Sequence, residues 1–259
     1  MPRAFTRAVS PKLADCELTH LARTPIDAVK AAVQHAAYEQ ALRAAGLDII
    51  RLPELADDPD AVFVEDTALL LDGHAVITRP GVPSRAGETS STAAGLADHL
   101  KLHRIERGHL DGGDVLRIWR SIYVGLSTRT NSAGVEALIE IGASLGFEVV
   151  EARLRDCLHL KTGATYAGPD SAGRPVLLYN ERCIDPAQFG GVEPMPVDAQ
   201  EPAAANCVRA RDRLILPADN PKTAARLRDR GFTVIEVVVS ELQKAEAGVT
   251  CMSLIDERP

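Results

Sequence analysis

The chain has few aromatic residues and no long apolar run. Phe, Trp and Tyr make up 4% of its 259 residues, so smaller aliphatic residues supply most of the 46% hydrophobic content. That composition is typical of layered helices and sheets and excludes a disordered chain. No apolar stretch approaches the roughly 18–20 residues that a membrane helix needs, and the first residues carry no apolar signal core. We therefore expect no membrane partner and a cytoplasmic location.

Paired cysteines and basic clusters are also missing. The five cysteines, at positions 16, 157, 183, 207 and 251, are odd in number and include no Cys-x-x-Cys motif. This pattern excludes a zinc ribbon and a disulfide framework, and it indicates free thiols in a reducing compartment. The net charge of −7 arises from 29 basic and 36 acidic residues without any basic stripe. Nucleic acid is therefore not an expected partner.

A repeated pattern of paired apolar strands runs through the chain. The four predicted hairpins cover residues 67–80, 114–125, 162–179 and 206–217. Asp-Gly in the first of them is a strong hairpin signal, and a repeat of about 45–50 residues is typical of a radial or stacked architecture. A fifth hairpin requires both ends of the chain. Residues 249–255 would pair with residues 3–9 and close a ring.

Helical stretches and further strands follow several of these hairpins. Residues 26–46 have helical periodicity and stop at Gly46, a typical helix cap. Helices are also expected at 133–145 and 223–230, each followed by a strand. Residues 187–205 contain three prolines and are expected to be irregular, but they are too short for a domain boundary. The pattern predicts an α/β chain with one domain, residues 1–259, built from five repeats.

Polar residues stand just before, or at, the first strand of each predicted repeat. They are Glu65 and Asp66, Asp111 and Asp114, His159, Asn206, and Cys251. If rotation relates the repeats, these side chains converge at one end of a shared channel. A thiol, a histidine and a carboxylate in one place could act as nucleophile, proton donor and orienting group. Two further acids would suit a planar cation such as a guanidinium, through charge-assisted hydrogen bonds.

Each of these residues also has a purely structural interpretation. Cys251, taken alone, is more typical of core packing at the start of a buried strand. His159 between two leucines could be a core histidine, and Asp111 beside two glycines could form an ordinary turn. Arg85 and Arg129 could bind a carboxylate, although a surface position is the more common setting for a single arginine. The functional interpretation therefore depends on the residues acting together.

Eight motifs carry a resemblance that covers essentially the whole chain. They are Pro-Asp-Ala-Val-Phe-Val-Glu-Asp (59–66), Ile-Thr-Arg-Pro-Gly (77–81), Ser-Arg-Ala-Gly-Glu-Thr (84–89), Leu-Asp-Gly-Gly-Asp-Val-Leu (110–116), Arg-Thr-Asn (129–131), Leu-His-Leu-Lys-Thr (158–162), Ala-Ala-Asn-Cys (204–207) and Gly-Val-Thr-Cys-Met-Ser-Leu (248–254). Together they resemble the dimethylarginine dimethylaminohydrolase family. This resemblance implies the guanidino-group-modifying superfamily and its pentein fold, a five-bladed β/α propeller.

The resemblance implies hydrolysis of N-ω-methylated L-arginine to L-citrulline and a methylamine. Cys251 would be the nucleophile, His159 the proton donor and then the base, and Asp111 the carboxylate that orients the histidine. Substrate contacts would fall on Leu18, Asp60, Glu65, Asp66, Arg85, Arg129 and the backbone of Ala245. Leu18 belongs to a lid in relatives, and Ala245 stands where relatives carry Ile or Val.

The same resemblance implies a small-molecule substrate as the main partner, with a homodimer possible. It implies no metal and no cofactor, although a neighbouring cysteine and histidine could bind adventitious zinc. Two other functions stay open. An arginine deiminase-like hydrolase that prefers unmethylated arginine would use the same residues, and Arg85 with Arg129 favours an α-amino acid over agmatine. A catalytically silent pentein-fold binding protein is the other alternative, and citrulline detection would separate it from the enzymes.

Overall fold

The computed structural model describes residues 2–258, and in this range it forms an α/β fold with five small sheets of three strands. In chain order the strands are β1 (Arg3–Thr6), β2 (Asp48–Arg51), β3 (Ala68–Leu71), β4 (His74–Ile77), β5 (Lys101–Arg104), β6 (Val115–Ile118), β7 (Ser121–Gly125), β8 (Glu148–Ala152), β9 (Ala164–Pro169), β10 (Pro175–Tyr179), β11 (Glu193–Pro196), β12 (Val208–Ala210), β13 (Arg213–Pro217), β14 (Thr233–Val237) and β15 (Leu254–Asp256). The α-helices are α1 (Ala28–Ala44), α2 (Glu88–Leu96), α3 (Ser132–Ser144), α4 (Leu160–Gly163), α5 (Pro221–Asp229) and α6 (Ser240–Gln243). None of the helices in residues 2–258 has the length and apolar character that crossing a membrane requires.

All five sheets share one plan. Two strands form an antiparallel hairpin, and a third strand joins the second in parallel. The four predicted hairpins are confirmed as β3–β4, β6–β7, β9–β10 and β12–β13. At the first hairpin, Asp72 and Gly73 have φ angles of 46° and 94°. Positive φ at both positions matches the tight turns that suit the twist of paired strands.

One sheet combines both ends of the chain. β15 pairs antiparallel with β1, with Leu254 opposite Phe5, and β1 pairs in parallel with β2. The predicted pairing of the chain ends is therefore present but shorter than expected. The prediction that Cys251 opens a strand is wrong, because Thr250–Met252 is a 3-10 helix. The N–H of Thr250 binds the side chain of Asn206 rather than a neighbouring strand.

The helices agree with the sequence where their ends are capped. Asp27 accepts the N–H of Lys30 at the start of α1, and Gly46 follows the helix with a φ of +85°. α2 and β5 were not predicted. For α2 the reason is that its Thr, Ser and Gly residues are weak helix formers. β11 lies in the segment that was expected to be irregular. It is an edge strand of its sheet, where prolines are tolerated because the N–H faces away from the ladder.

α1 links the sheet of the chain ends to the sheet of β12–β14. Its Tyr38 and Leu42 are fully buried and share one apolar cluster with Val208, Ile215 and Met252. Burying an aliphatic or aromatic side chain of this size contributes about 1.5–3 kcal/mol. This packing holds the segment before β15 against the body of the fold.

The first strands of the five hairpins surround one cavity of about 260 Å³. Each strand contributes lining residues, for example Leu70 of β3, Leu116 of β6, Tyr166 of β9, Arg209 of β12 and Ile255 of β15. The segments that lead into these five strands therefore approach a common region.

Candidate active site

A short helical turn precedes the first strand of every hairpin, and polar side chains on or directly beside these turns lie near that common region. The turns are the 3-10 helices Val64–Thr67, Gly112–Asp114, Pro202–Ala205 and Thr250–Met252, together with α4. The Val64–Thr67 turn contacts those of Gly112–Asp114 and Thr250–Met252, while α4 contacts Gly112–Asp114 and Pro202–Ala205. Residues far apart in the sequence thus form one cluster.

Cys251 is a half-buried free thiol on the last of these turns. Burial, followed by the charges of Glu65 and Asp66, raises the pKa of Cys251 to about 12, against the opposing effects of the Gly248 backbone and Lys161. The thiolate is the reactive form of cysteine. Without a ligand the site therefore keeps Cys251 protonated, and an additional cation beside it would favour the thiolate.

His159 is a buried side chain at the N-cap position of α4. Its Nε2 lies 3.2 Å from Oδ2 of Asp111, and its Nδ1 lies 4.0 Å from Oδ1 of Asp66. A Cβ at Gly113 would come within 2.6 Å of Nδ1, so the ring fits only beside a glycine. Burial works against a charge on the ring, but Asp66, Asp111 and Asp114 outweigh it and raise the pKa of His159 to about 9. At neutral pH the ring is an imidazolium with a proton to donate.

The two aspartates of the Asp-Gly-Gly-Asp motif are fully buried and have different partners. Asp111 accepts the N–H of Gly81 through Oδ1 at 2.8 Å, and its Oδ2 faces His159. Asp114 accepts the N–H of Leu160 at 3.1 Å. Asp111 thus contacts the imidazole directly, whereas Asp114 accepts a free N–H at the start of α4.

Glu65 and Asp66 are adjacent in the sequence but belong to different ion pairs. Oε1 of Glu65 lies 2.5 Å from Nζ of Lys161, whereas Oδ2 of Asp66 lies 2.5 Å from Nη1 of Arg85. Burial raises the pKa of Glu65. Burial also acts on Asp66, but His159 and Arg85 hold the pKa of Asp66 below its ordinary value. Asp66 is therefore the more firmly ionised of the two acids.

The two arginines expected at the site differ in how fully they are paired. Arg85 is buried and donates to both carboxylate oxygens of Glu88, at 2.9 and 2.8 Å, and to the carbonyl of Phe63 at 2.8 Å. Arg129 is buried as well, but among residues 2–258 its guanidinium makes one hydrogen bond, to the hydroxyl of Thr19 at 2.8 Å, and its Nη1 lies 4.0 Å from Oδ2 of Asp111. Arg129 therefore retains more N–H donors for an added carboxylate.

Leu18 lies in a segment, residues 17–21, which we call the lid segment. Two acids hold it: Asp60 accepts its first N–H at 3.1 Å, and Glu246 accepts its last three at distances of 2.5 to 3.0 Å. Burial raises the pKa of Asp60 to about 6. Leu18 packs against the apolar cluster that includes Ala245, the residue before Glu246. Leu18, Asp60 and Ala245 are thus all associated with the lid segment.

Asp66 connects the thiol and the imidazole. Its charge acts on both Cys251 and His159, which lie on different turns. Four further participants were not predicted: Lys161, Glu88, Thr250 and Glu246. The first three lie inside recognised motifs, and Glu246 follows Ala245 directly. The sequence could have indicated these four residues by their position beside predicted site residues, but it does not show which residues they pair with.

Three donor groups could hold a metal ion among the described residues. Asp66, Asp111 and His159 each offer one ligand atom, and these atoms lie within 4.8 Å of one another. Cys251, which with His159 could bind adventitious zinc if the two were neighbours, is outside this group. A metal would require the neutral form of His159, so beside the imidazolium it is the two carboxylates of this set that attract an organic cation.

Comparisons with known proteins agree with this arrangement. The family model described as N,N dimethylarginine dimethylhydrolase, eukaryotic, matches residues 22–166. The N(G),N(G)-dimethylarginine dimethylaminohydrolase of Streptomyces coelicolor is 37% identical over 97% of this chain and 96% of its own length. A solved mutant of the Pseudomonas aeruginosa enzyme, complexed with citrulline, is 34% identical with a TM-score of 0.91, covering 99% of this chain and all of that one. A dimethylarginine dimethylaminohydrolase adduct with S-methyl-L-thiocitrulline is 35% identical, with a TM-score of 0.90 over 99% of this chain and 100% of the other.

The five-sheet α/β fold and the buried thiol, imidazole and acids together define a hydrolase of the pentein class. The chain belongs to the dimethylarginine dimethylaminohydrolase family.

Proposed function

We propose that this chain hydrolyses N-ω-methylated L-arginine to L-citrulline and a methylamine. The observation that carries the proposal is the position of Asp66, an ionised buried carboxylate that acts on both Cys251 and His159. A guanidinium bound to Asp66 would lie between a thiol and a proton donor. The family membership and the citrulline complex of a relative support this substrate class.

The bound cation would activate the nucleophile. The thiol is protonated in the free site because of burial and the acids Glu65 and Asp66. A guanidinium in contact with these acids compensates their charge, so the Cys251 thiolate forms when substrate is present. Its sulfur then attacks the guanidinium carbon, and His159 donates its proton to the departing methylamine nitrogen. The product of this step is a thiouronium adduct on Cys251.

The second half of the reaction uses the same two residues. Neutral His159 takes a proton from water, which attacks the carbon of the adduct. The hydroxyl proton of the resulting intermediate passes to the departing sulfur as the bond between carbon and sulfur breaks, so Cys251 leaves as the thiol of the free site and L-citrulline is released. Dividing the displacement into two steps is the purpose of covalent catalysis. Asp111, in contact with Nε2 of His159, would hold the ring orientation through both steps.

The remaining substrate contacts would lie at the lid segment. Arg129, whose donors are largely available, would bind the α-carboxylate together with Arg85, and Leu18, Asp60 and the backbone of Ala245 would surround the α-amino end. We further infer that the chain is one domain, a propeller of five blades closed by the β1–β15 pair. The cavity shared by all five first strands supports this closure. The free cysteines support a reducing, cytoplasmic setting.

The test is citrulline formation from methylated and unmethylated arginine, measured side by side. We expect release from the methylated substrates, none from Cys251→Ser, and near-normal release from Cys157→Ser, a matched half-buried cysteine outside the proposed chemistry. Turnover by Cys251→Ser would end the proposal. Preference for unmethylated arginine would replace it with an arginine deiminase-like activity, and no product from either substrate would indicate a binding protein.

A further inference from the structure

Asn206 joins two of the turns that form the site. The side chain is buried, and its Oδ1 accepts the N–H of Thr250 at 3.0 Å. Its Nδ2 donates to the carbonyl of Lys161 at 3.1 Å and to the hydroxyl of Thr250 at 3.0 Å. A backbone N–H requires an acceptor and a carbonyl requires a donor, so these partners fix the orientation of the amide. The amide therefore connects the turn that follows His159 to the turn of Cys251.

Gly248 is packed directly against this amide. A Cβ at position 248 would lie 2.1 to 2.5 Å from the side-chain atoms of Asn206, closer than any real Cβ contact. The backbone of Gly248 in turn acts on Cys251, because it lowers the pKa of the thiol against the effect of burial. Asn206 thus packs against a backbone segment that favours the thiolate.

The hydroxyl of Thr250 gives Asn206 a second connection to the thiol. The hydroxyl accepts from Nδ2 of Asn206 and donates to Oε2 of Glu65 at 2.6 Å. Because the amide occupies a lone pair of this hydroxyl, the proton is directed towards Glu65. Glu65 is one of the acids that disfavour the thiolate of Cys251, so a hydrogen bond that disperses its charge favours that thiolate.

We propose that Asn206 is a positioning residue for the Cys251 thiolate, which it favours by fixing the backbone N–H of Thr250, the residue before Cys251, and by directing the Thr250 hydroxyl to Glu65. Asn206 does not contact the reacting atoms in this scheme. The proposal rests on the proposed function only in taking Cys251 as the nucleophile. Its physical content, the ease of forming the thiolate, can be measured without any substrate.

Three variants test the connection from different sides. Asn206→Ala removes every contact of the amide, and Asn206→Asp keeps the shape and the acceptor but loses both N–H donors. Gly248→Ala forces the amide away from its place. Asn220→Ala is the matched control, because Asn220 is equally buried, donates to the carbonyl of Pro217 at 3.0 Å and precedes α5 in the same sheet-and-helix unit.

The measurement is the rate at which iodoacetamide alkylates Cys251 at pH 8, followed by mass spectrometry of the peptide that contains it. Below the pKa of the thiol this rate follows the thiolate fraction. Loss of one hydrogen bond corresponds to about a tenfold slower rate. We expect that decrease for all three variants, with kcat reduced and KM nearly unchanged, and a wild-type rate for Asn220→Ala despite a lower melting temperature.

Folding is monitored in parallel by circular dichroism, and Asn206→Asp, which preserves volume, carries the test if Asn206→Ala does not fold. Wild-type alkylation rates in folded Asn206→Asp and Gly248→Ala would overturn the proposal, as would an equal decrease in Asn220→Ala. If the wild-type protein releases no citrulline, the proposed function fails, but the ratio of alkylation rates still decides the role of Asn206.

Discussion

Nε2 of His159 lies 3.2 Å from Oδ2 of Asp111, and both side chains are buried. The pair keeps a proton in a place where burial alone would remove it, and the charge of Asp66 on the other side of the ring adds to the effect. The thiol has the opposite character, since its surroundings disfavour its charged form. The free site therefore holds a protonated acid and a protonated nucleophile. A cationic substrate that compensates the charge of Asp66 lowers the pKa of both groups, which favours the thiolate of Cys251 and the transfer of the His159 proton.

The first prediction concerns stability against pH. The folded chain raises the pKa of His159 to about 9 from an ordinary value of 6.5, so the charged form is favoured by folding. The resulting stabilisation is complete below about pH 6.5 and is lost as the pH rises through 9. It corresponds to about 3 kcal/mol, because each pKa unit is worth about 1.4 kcal/mol. Urea unfolding at pH 6.5 and pH 9.5 should show this loss in the wild-type protein.

His159→Gln is the control for that measurement, because it keeps a polar side chain without a titrating ring. Between pH 6.5 and pH 9.5 the free energy of unfolding of His159→Gln should fall by about 3 kcal/mol less than that of the wild-type protein. Parallel pH profiles for the two proteins would show that folding does not raise the pKa of His159.

The sequence predicted the elements whose signals are local. The Asp-Gly turn and the apolar strands on either side identified β3–β4, and caps at Asp27 and Gly46 identified α1. The sequence pattern did not predict α2, because the stability of this helix comes from packing rather than from helix propensity. The burial of Thr92 and Leu96 on one face indicates this packing. The sequence pattern did not predict β11, because prolines argue against a strand although an edge strand tolerates them.

Pairing within the site was not readable from the sequence. Glu65 and Asp66 are neighbours in the sequence and were expected to hold a guanidinium together. The fold instead brings Lys161 to Glu65 and Arg85 to Asp66, over sequence separations of 96 and 19 residues. Such pairings depend on how the five sheets are placed relative to one another, which no local pattern records. The position of these residues before strands was predictable, whereas their partners were not.

The second prediction concerns the pair of Glu65 and Lys161. Lys161→Met leaves a buried carboxylate without its cation, and breaking a buried ion pair on one side costs about 3–5 kcal/mol. The free energy of unfolding in urea should fall towards that amount. The double variant Lys161→Met/Glu65→Gln removes both charges and should recover most of the loss, since no unpaired charge remains. Equal destabilisation of the single and double variants would mean that the ammonium stabilises the fold by packing rather than by charge.

The third prediction separates the two arginines. Arg129→Ala should raise KM for methylated arginine by about tenfold or more, because it removes a charge-assisted contact with a non-reacting group, while kcat changes little. Agmatine-like guanidines, which lack the α-carboxylate, should bind both proteins equally. An unchanged KM for the amino acid would exclude Arg129 from the carboxylate site.

Arg85→Ala should behave differently because its guanidinium is already paired within the protein. It contacts Asp66 and Glu88, and its removal leaves both acids buried without a cation. We expect a loss of stability of about 3–5 kcal/mol in addition to any rise in KM. A variant with normal thermal unfolding and a raised KM alone would show that Arg85 serves the substrate more than the fold.

The last prediction concerns Glu246, which holds the lid segment. Its carboxylate accepts three successive N–H groups, and its own φ of +59° lies in the left-handed region that few non-glycine residues adopt. Hydrogen bonds to a charged group contribute about 1.5–3 kcal/mol, so Glu246→Ala should increase amide exchange in residues 19–21 by about tenfold or more. Mass spectrometry of the corresponding peptide measures this exchange directly.

Glu257→Ala, which removes an exposed carboxylate that accepts the N–H of Arg211, is the control and should leave the lid segment unaffected. Because the lid segment carries Leu18 and contacts Arg129, loss of Glu246 should also raise KM. Unchanged exchange in residues 19–21 would show that Asp60 and Arg129 suffice to hold the segment in place.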